Sequence, residues 1–220
     1  EMALKPGFPS SPFEILEPEL RWFPADESLR ETSAEKLMPP LVAEIRRQVH
    51  AFRSSDYEGA SHTSRALLNW WFKTEHVIRD SNPEEYFNYF FSQREAIEAL
   101  IYLHDVAEVR KQEQLLQFDK NDLLSSQHFP ETWSRYVLKL ATGAGKTKVL
   151  SLALVWSFFH KTFEEGSDLS RNFLIVAPNI IVLDRLKVDF EGLRIFREDP
   201  LIPDDGFMGK SWTSEFKVRI

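Results

Sequence analysis

The chain has 220 residues, of which 43% are hydrophobic and 13% aromatic, and its formal net charge is −7. The apolar content excludes a disordered chain, and the absence of cysteine excludes disulfides and thiolate metal sites, as is typical of a cytoplasmic protein. The acidic balance argues against a wholly basic nucleic-acid-binding domain, but it leaves open DNA contact through a local basic patch.

Residues 1–85 are predicted to form a largely helical extension. Prolines interrupt regular helix in its first 40 residues, where aromatic side chains alternate with them. Apolar positions spaced by three and four then predict an amphipathic helix over 41–53. A second helix is predicted to begin near Ser61 or Thr63, because either hydroxyl can cap a helix N-terminus.

This second helix carries two adjacent tryptophans, Trp70 and Trp71. Large aromatic side chains on a helix usually bury against a neighbouring element, so core packing is the favoured interpretation. A stacking platform for a ligand is the alternative.

Residues 86–220 are predicted to form an α/β domain. Ser92, with Glu95 three residues later, is a capping-box pattern that predicts a helix start. A β-prone run at 136–140 precedes a long apolar helix from Thr147 to about residue 163, which should be buried on most sides.

A continuous apolar run follows at Phe173–Ala177 and predicts a strand buried on both faces of a parallel sheet. Another amphipathic helix is predicted over 180–190. Two strands joined by one buried helix should form a right-handed crossover unit. A last strand is predicted over 216–220.

The turn between the first strand and the long helix reads Ala-Thr-Gly-Ala-Gly-Lys-Thr over residues 141–147. Its two glycines can take backbone angles closed to other residues, so the N–H groups can fold around an anion at the positive end of the helix dipole. Lys146 would reach the β- and γ-phosphates of a nucleotide, and the Thr147 hydroxyl would ligate Mg²⁺. The residues predicted to bind ATP are Thr142, Gly143, Ala144, Gly145, Lys146 and Thr147, with Lys146 and Thr147 in the catalytic roles.

Residues 139–147 resemble motif I of superfamily 2 helicases and translocases, and residues 173–190 resemble motif Ia with its flanks. The Pro-Asn and Leu-Asp-Arg-Leu form of motif Ia is similar to that of the Res subunit of type III restriction enzymes and related DEAD/DEAH-box proteins. Residues 90–98 resemble the glutamine element upstream of motif I in that family. The resemblance implies a partial RecA-like domain with a parallel sheet, preceded by a family-specific helical extension.

The same resemblance implies ATP hydrolysis coupled to movement on DNA, in concert with a methyltransferase (modification) subunit. Gln93 would read the adenine of ATP through its amide, although a glutamine near a helix N-terminus also occurs without any ligand. Pro178 and Asn179 would contact the phosphates of a nucleic-acid strand, and Arg185 would add a charge-assisted bond or simply face solvent.

Two features depart from the family pattern. Leu140 stands where motif I has a small residue, and no strand in the sequence ends in D-E-x-H. That acidic group holds Mg²⁺ opposite the loop, so we expect it, with the remaining motifs, downstream of Ile220. The 220-residue chain alone should therefore hydrolyse ATP only at background rate. A P-loop kinase or transferase, and a docking module with a vestigial loop, are the alternative functions.

Overall fold

The structure, a computed structural model, describes residues 9–20, 39, 41–78, 85–128 and 134–217, and these residues are mostly helical. The α-helices of the described residues are α1 (Val42–Ser54), α2 (His62–Lys73), α3 (Phe91–Ile101), α4 (Lys146–Phe163), α5 (Ile180–Phe190), α6 (Arg194–Glu198) and α7 (Trp212–Glu215). A π-helical turn, Tyr102–Val106, continues α3. The 3-10 segments are Pro18–Leu20, Gln112–Phe118, Ser126–His128, Glu191–Leu193 and Phe207–Gly209.

The described residues contain one sheet, an antiparallel pair of two-residue strands. These are β1 (His76–Val77) and β2 (Tyr86–Phe87), with His76 opposite Phe87 and Val77 opposite Tyr86. The loop and proline-initiated helix start predicted near residue 83 lie outside the described residues.

The chain packs into two compact units, each built from two separate stretches. The first unit comprises residues 1–60 and 90–139, and the second comprises residues 61–89 and 140–220. The division predicted from the sequence, between an extension ending at residue 85 and the domain that follows, remains a prediction.

In the first unit, α1 packs against α3. The amphipathic helix predicted over 41–53 is present as α1, and its apolar stripe buries Val49 and Phe52. The helix predicted from the Ser92 capping box is also present, but it begins at Phe91, with Phe90 as the cap residue. Ser92 therefore lies inside the first turn. The N–H of the cap residue Phe90 is bonded by the Gln93 side chain instead.

In the second unit, α2 packs against α4. Ser61 caps α2, since its Oγ accepts from the Ser64 N–H at 3.1 Å, as one of the two predicted caps would. The indole N–H of Trp156 on α4 donates to Ser64 Oγ at 2.8 Å and joins the two helices. The predicted long helix is present as α4, and eight of its eighteen residues are buried.

The two tryptophans of α2 attach a distant segment of the same unit. The Trp70 indole donates to the Pro200 carbonyl at 3.0 Å, and the Trp71 indole donates to the Leu201 carbonyl at 2.8 Å. Trp71 is 3% exposed and Leu201 is fully buried. These contacts agree with core packing, the favoured interpretation of the pair. No described helix is long and apolar enough to cross a bilayer.

The predicted strands at 136–140 and 173–177 differ from what the structure shows. Both stretches lack ladder partners among the described residues, and Leu174 and Val176 are 90% and 79% exposed. An apolar run indicates that burial would be favourable, but it becomes a strand only beside a chain that supplies the hydrogen bonds. Without paired strands there is no parallel crossover in the described part, although the predicted helix over 180–190 is present as α5. Residues 216 and 217 form no strand, and 218–220 lie outside the described residues.

Candidate functional site

The glycine-containing turn at 141–147 has the backbone geometry that its sequence predicts. Gly143 and Gly145 have φ angles of 84° and 74°, in the left-handed region that disfavours side chains. The Ala144 N–H donates to the Ala141 carbonyl at 3.3 Å, which closes the turn, and α4 begins at Lys146 directly afterwards. The first N–H groups of an α-helix have no partner within the helix, so the turn and α4 together offer donors to an anion.

Lys146 folds back over this turn. Its Nζ donates to the Ala141 carbonyl at 2.8 Å, which places the ammonium at the turn itself. Thr147, in the first turn of α4, is half-buried. The turn thus brings together two left-handed glycines, a lysine ammonium and a threonine hydroxyl within five consecutive residues, and this donor set suits a phosphate chain with its Mg²⁺.

The structure adds a residue that the sequence reasoning did not single out. Lys148, one residue beyond the motif, forms an ion pair with Asp199, and its Nζ lies 5.3 Å from the centre of the Phe87 ring. Its side chain is 18% exposed. Burial lowers the pKa of Lys148 to about 8, while the nearby carboxylates Asp189 and Glu198 act in the opposite direction. Its position directly after the motif could have drawn attention to Lys148, because adjacent residues at the start of a helix lie in similar surroundings.

Gln93, the predicted adenine reader, belongs to the first unit. It occupies the third position of α3, is 6% exposed, and its Oε1 accepts from the Phe90 N–H at 3.0 Å. Gln93 therefore caps its own helix.

Pro178, Asn179 and Arg185, the predicted DNA contacts, lie just before, at the cap of and in the middle of α5, and all three are exposed. Asn179 is the N-cap of α5, and its Oδ1 accepts from the Val182 N–H at 3.0 Å. The structure thus gives Asn179 a local role that the sequence reasoning did not assign. The exposure of Arg185 agrees with either of its two interpretations.

A buried charged cluster in the first unit was also missed. It joins Arg53 on α1 and Tyr57 in the following turn to Arg94, Glu95 and Glu98 on α3. Helical spacing could have indicated that Arg53 is buried. Arg53 follows the core residue Val49 by four positions and therefore shares its face.

A protein-family model described as "Type III restriction enzyme, res subunit" matches residues 87–216, more than half of the chain. No curated protein and no solved structure matches the chain.

Proposed function

This chain belongs to the family of type III restriction enzyme res subunits, and from that membership we propose that it is the ATP-binding part of an ATP-dependent DNA translocase in a restriction system. The parent enzyme would be an ATP hydrolase that couples turnover to movement on DNA. The proposal includes a RecA-like domain with a parallel sheet in the parent enzyme.

The observation that carries the proposal is the turn at 141–147. Two glycines in the left-handed region let its backbone N–H groups converge, and Lys146 lies over the turn through its bond to Ala141. In the proposed complex the Lys146 ammonium exchanges the Ala141 carbonyl for phosphate oxygens. The Thr147 hydroxyl would be one protein ligand for Mg²⁺, and the ion would neutralise charge on the phosphates.

Base selection is assigned to Gln93. A primary amide accepts from the N6 amine of adenine and donates to N7, and guanine presents the opposite pattern at its exocyclic position. The bond from the Phe90 N–H fixes the orientation of the amide, so the oxygen and the nitrogen cannot exchange places freely. Fixed orientation favours discrimination between ATP and GTP.

DNA contact is assigned to the start of α5. Pro178 and Asn179 are exposed, and a helix N-terminus favours phosphate because of its dipole and its unpaired N–H groups. Arg185 adds a positive charge on the same helix. A modification subunit is the proposed protein partner, since the family is that of one subunit of a restriction enzyme.

The test is titration of the purified chain with ATP and MgCl₂ by isothermal calorimetry. We expect saturable binding that Lys146→Ala weakens by at least tenfold, because the ammonium–phosphate bond is charge-assisted. Lys187→Ala, which removes an exposed lysine from α5, should leave the affinity unchanged. Equal ATP affinity in the wild type and Lys146→Ala would instead support a docking module with a vestigial loop.

Turnover separates this proposal from a kinase. The chain contains no D-E-x-H sequence, so the 220 residues alone should release phosphate from ATP only at background rate. Steady DNA-stimulated hydrolysis by the 220-residue chain would contradict that expectation. Transfer of phosphate to a small acceptor would favour a kinase or transferase.

A further inference from the structure

The glutamine helix, α3, is held by a carboxylate with no exposure to solvent. Glu98 accepts four hydrogen bonds, two at each oxygen. Tyr57 OH and Arg94 Nε donate to Oε1 at 2.7 and 2.8 Å. Arg53 donates to Oε2 from Nε at 2.8 Å and from its terminal nitrogen at 2.5 Å. Every lone pair of this carboxylate is used.

The remaining contacts of this buried cluster point to the first turn of α3. The same Arg53 nitrogen donates to Glu95 at 2.5 Å, and the Arg53 guanidinium carbon lies 5.1 Å from the centre of the Phe91 ring. Arg94 also donates to the Tyr57 hydroxyl at 3.0 Å. Phe91, Arg94 and Glu95 are neighbours of Gln93 in that turn. The cluster therefore fixes both the position and the rotation of the turn that carries Gln93.

The turn between α1 and α2 has a strained backbone at the point where it supplies Tyr57. Asp56 and Tyr57 have φ angles of 59° and 61°, which cost about 1–3 kcal/mol for a non-glycine residue. Such a geometry persists only where the surroundings determine it, and here the Tyr57 ring is fully buried against Phe52 with its hydroxyl on Glu98. The strained backbone thus places the Tyr57 hydroxyl at Glu98.

Stability alone is a poor explanation for this arrangement. Well-packed apolar residues stabilise a helix pair as much as a buried ion pair or more, because the charges lose their hydration. What a four-donor carboxylate provides in addition is one defined orientation between two helices. Its net charge is balanced, since Arg53 and Arg94 face Glu95 and Glu98.

We infer that Arg53 and Tyr57 are positioning residues for Gln93, holding the first turn of α3 so that the amide discriminates adenine from guanine. This inference rests on the proposed ATP-binding function and adds the residues that set its base selectivity. Neither residue contacts the nucleotide. They act through Glu98 and the backbone of the turn.

The experiment compares Mg²⁺-ATP with Mg²⁺-GTP affinity by isothermal calorimetry on the full chain. Arg53→Lys keeps the positive charge but loses the several N–H donors of the guanidinium. We expect it to lower the ATP/GTP affinity ratio about tenfold. Tyr57→Phe removes only the hydroxyl and should lower the ratio about threefold. The loss should fall on ATP, with GTP affinity nearly unchanged, whereas a general loss of folding would weaken both.

Two substitutions serve as matched controls. Arg47→Lys makes the same change on α1 at a residue whose exposed guanidinium pairs with Glu44. Tyr102→Phe removes a hydroxyl that donates to Gln48, from a ring that also contacts Phe52. Neither should change the ratio.

A Gln93→Ala background makes the test decisive. If Arg53 and Tyr57 act through Gln93, then Gln93→Ala lowers the ratio and adding Arg53→Lys or Tyr57→Phe lowers it no further. An unchanged ratio in Arg53→Lys and Tyr57→Phe, with a lowered ratio in Gln93→Ala, overturns the inference alone. An unchanged ratio in Gln93→Ala, or no binding of either nucleotide, overturns it together with the proposed function on which it rests.

Discussion

At the scale of single residues, Lys148 shows how strongly the environment of the candidate site departs from open solvent. Its neighbours Lys146 and Thr147 carry the nucleotide-binding pattern, yet Lys148 points to Asp199 and the Phe87 ring. Burial lowers its pKa from 10.5 to about 8, and the attraction of Asp189 and Glu198 only partly offsets that burial. The folded protein therefore holds this proton less tightly than the unfolded chain.

We predict that the free energy of unfolding rises between pH 8 and about pH 9.5. In that range the unfolded chain binds more protons at this position than the folded protein, so raising the pH favours the folded state. The gain should be about 1 kcal/mol, discounted for the partial exposure of the side chain. Urea denaturation at half-unit pH steps measures it.

Lys148→Met supplies the control for this pH dependence, because methionine does not titrate. Its unfolding free energy should be flat over the same range. A rise of equal size in the variant would assign the effect to another group. Measurements stop near pH 9.5 because burial raises the pKa of Tyr57 and Tyr89. At higher pH these tyrosines make the free energy of unfolding fall as the pH rises.

The glycine-containing turn at 141–147 was predictable residue by residue, whereas the local role of Gln93 was not. Gly143 and Gly145 have the left-handed angles that their spacing predicts. The capping box was assigned to Ser92 and Glu95, but Glu95 bonds to Arg53 and the capping bond comes from Gln93. A pattern of residue types identifies a helix start to within a residue or two, and long-range partners then decide which side chain caps it.

At the scale of elements, α5 combines a structural cap with a proposed DNA contact. Asn179 has extended backbone angles and bonds to the Val182 N–H, so it stabilises the helix whether or not DNA is bound. Arg185 lies on the same helix and is exposed. Asn179 therefore bears on the stability of the helix and Arg185 on its charge, and different substitutions are needed to test them.

We predict that Asn179→Asp separates capping from DNA binding. Aspartate caps a helix as well as asparagine, so the unfolding free energy should stay within about 0.5 kcal/mol, whereas Asn179→Ala should lose about 0.5–2 kcal/mol. The added negative charge should weaken DNA binding, measured by fluorescence anisotropy with a labelled duplex. Unchanged affinity in Asn179→Asp would remove this residue from the DNA contact.

We also predict that Arg185→Ala reduces the salt dependence of DNA affinity. Loss of one phosphate contact lowers the slope of log affinity against log salt concentration by about one. Lys187→Ala is the matched control, since Lys187 is another exposed cation of α5. An equal change of slope in both variants would indicate a general electrostatic effect of the helix.

At the scale of the whole molecule, the buried apolar residues of the second unit lie mainly on helices. Leu152, Val155 and Phe159 of α4 are almost inaccessible, and Trp71 and Trp212 are buried in the same unit. Residues 173–176, which are equally apolar in sequence, are exposed. Composition alone does not separate these two stretches. Helical periodicity lets α4 bury its face against α2 without help, whereas a parallel strand needs neighbours on both sides.

We predict that Leu152→Ala and Leu174→Ala have very different effects on this chain. Removing the buried Leu152 side chain should cost about 2–5 kcal/mol of unfolding free energy. Removing Leu174, which is 90% exposed, should cost less than about 0.5 kcal/mol. Chemical denaturation measures both, and comparable losses would show that 173–177 is buried as a strand.

The two tryptophan bonds have a consequence for synthesis. Trp70 and Trp71 leave the ribosome 130 residues before the carbonyls of Pro200 and Leu201 that accept their indole protons. At about 5–20 residues per second, that interval lasts about 6–26 s. During this interval Trp70 and Trp71 lack the carbonyls of Pro200 and Leu201. A chaperone that binds exposed aromatic segments could then bind α2. Slower translation would lengthen that exposure in direct proportion.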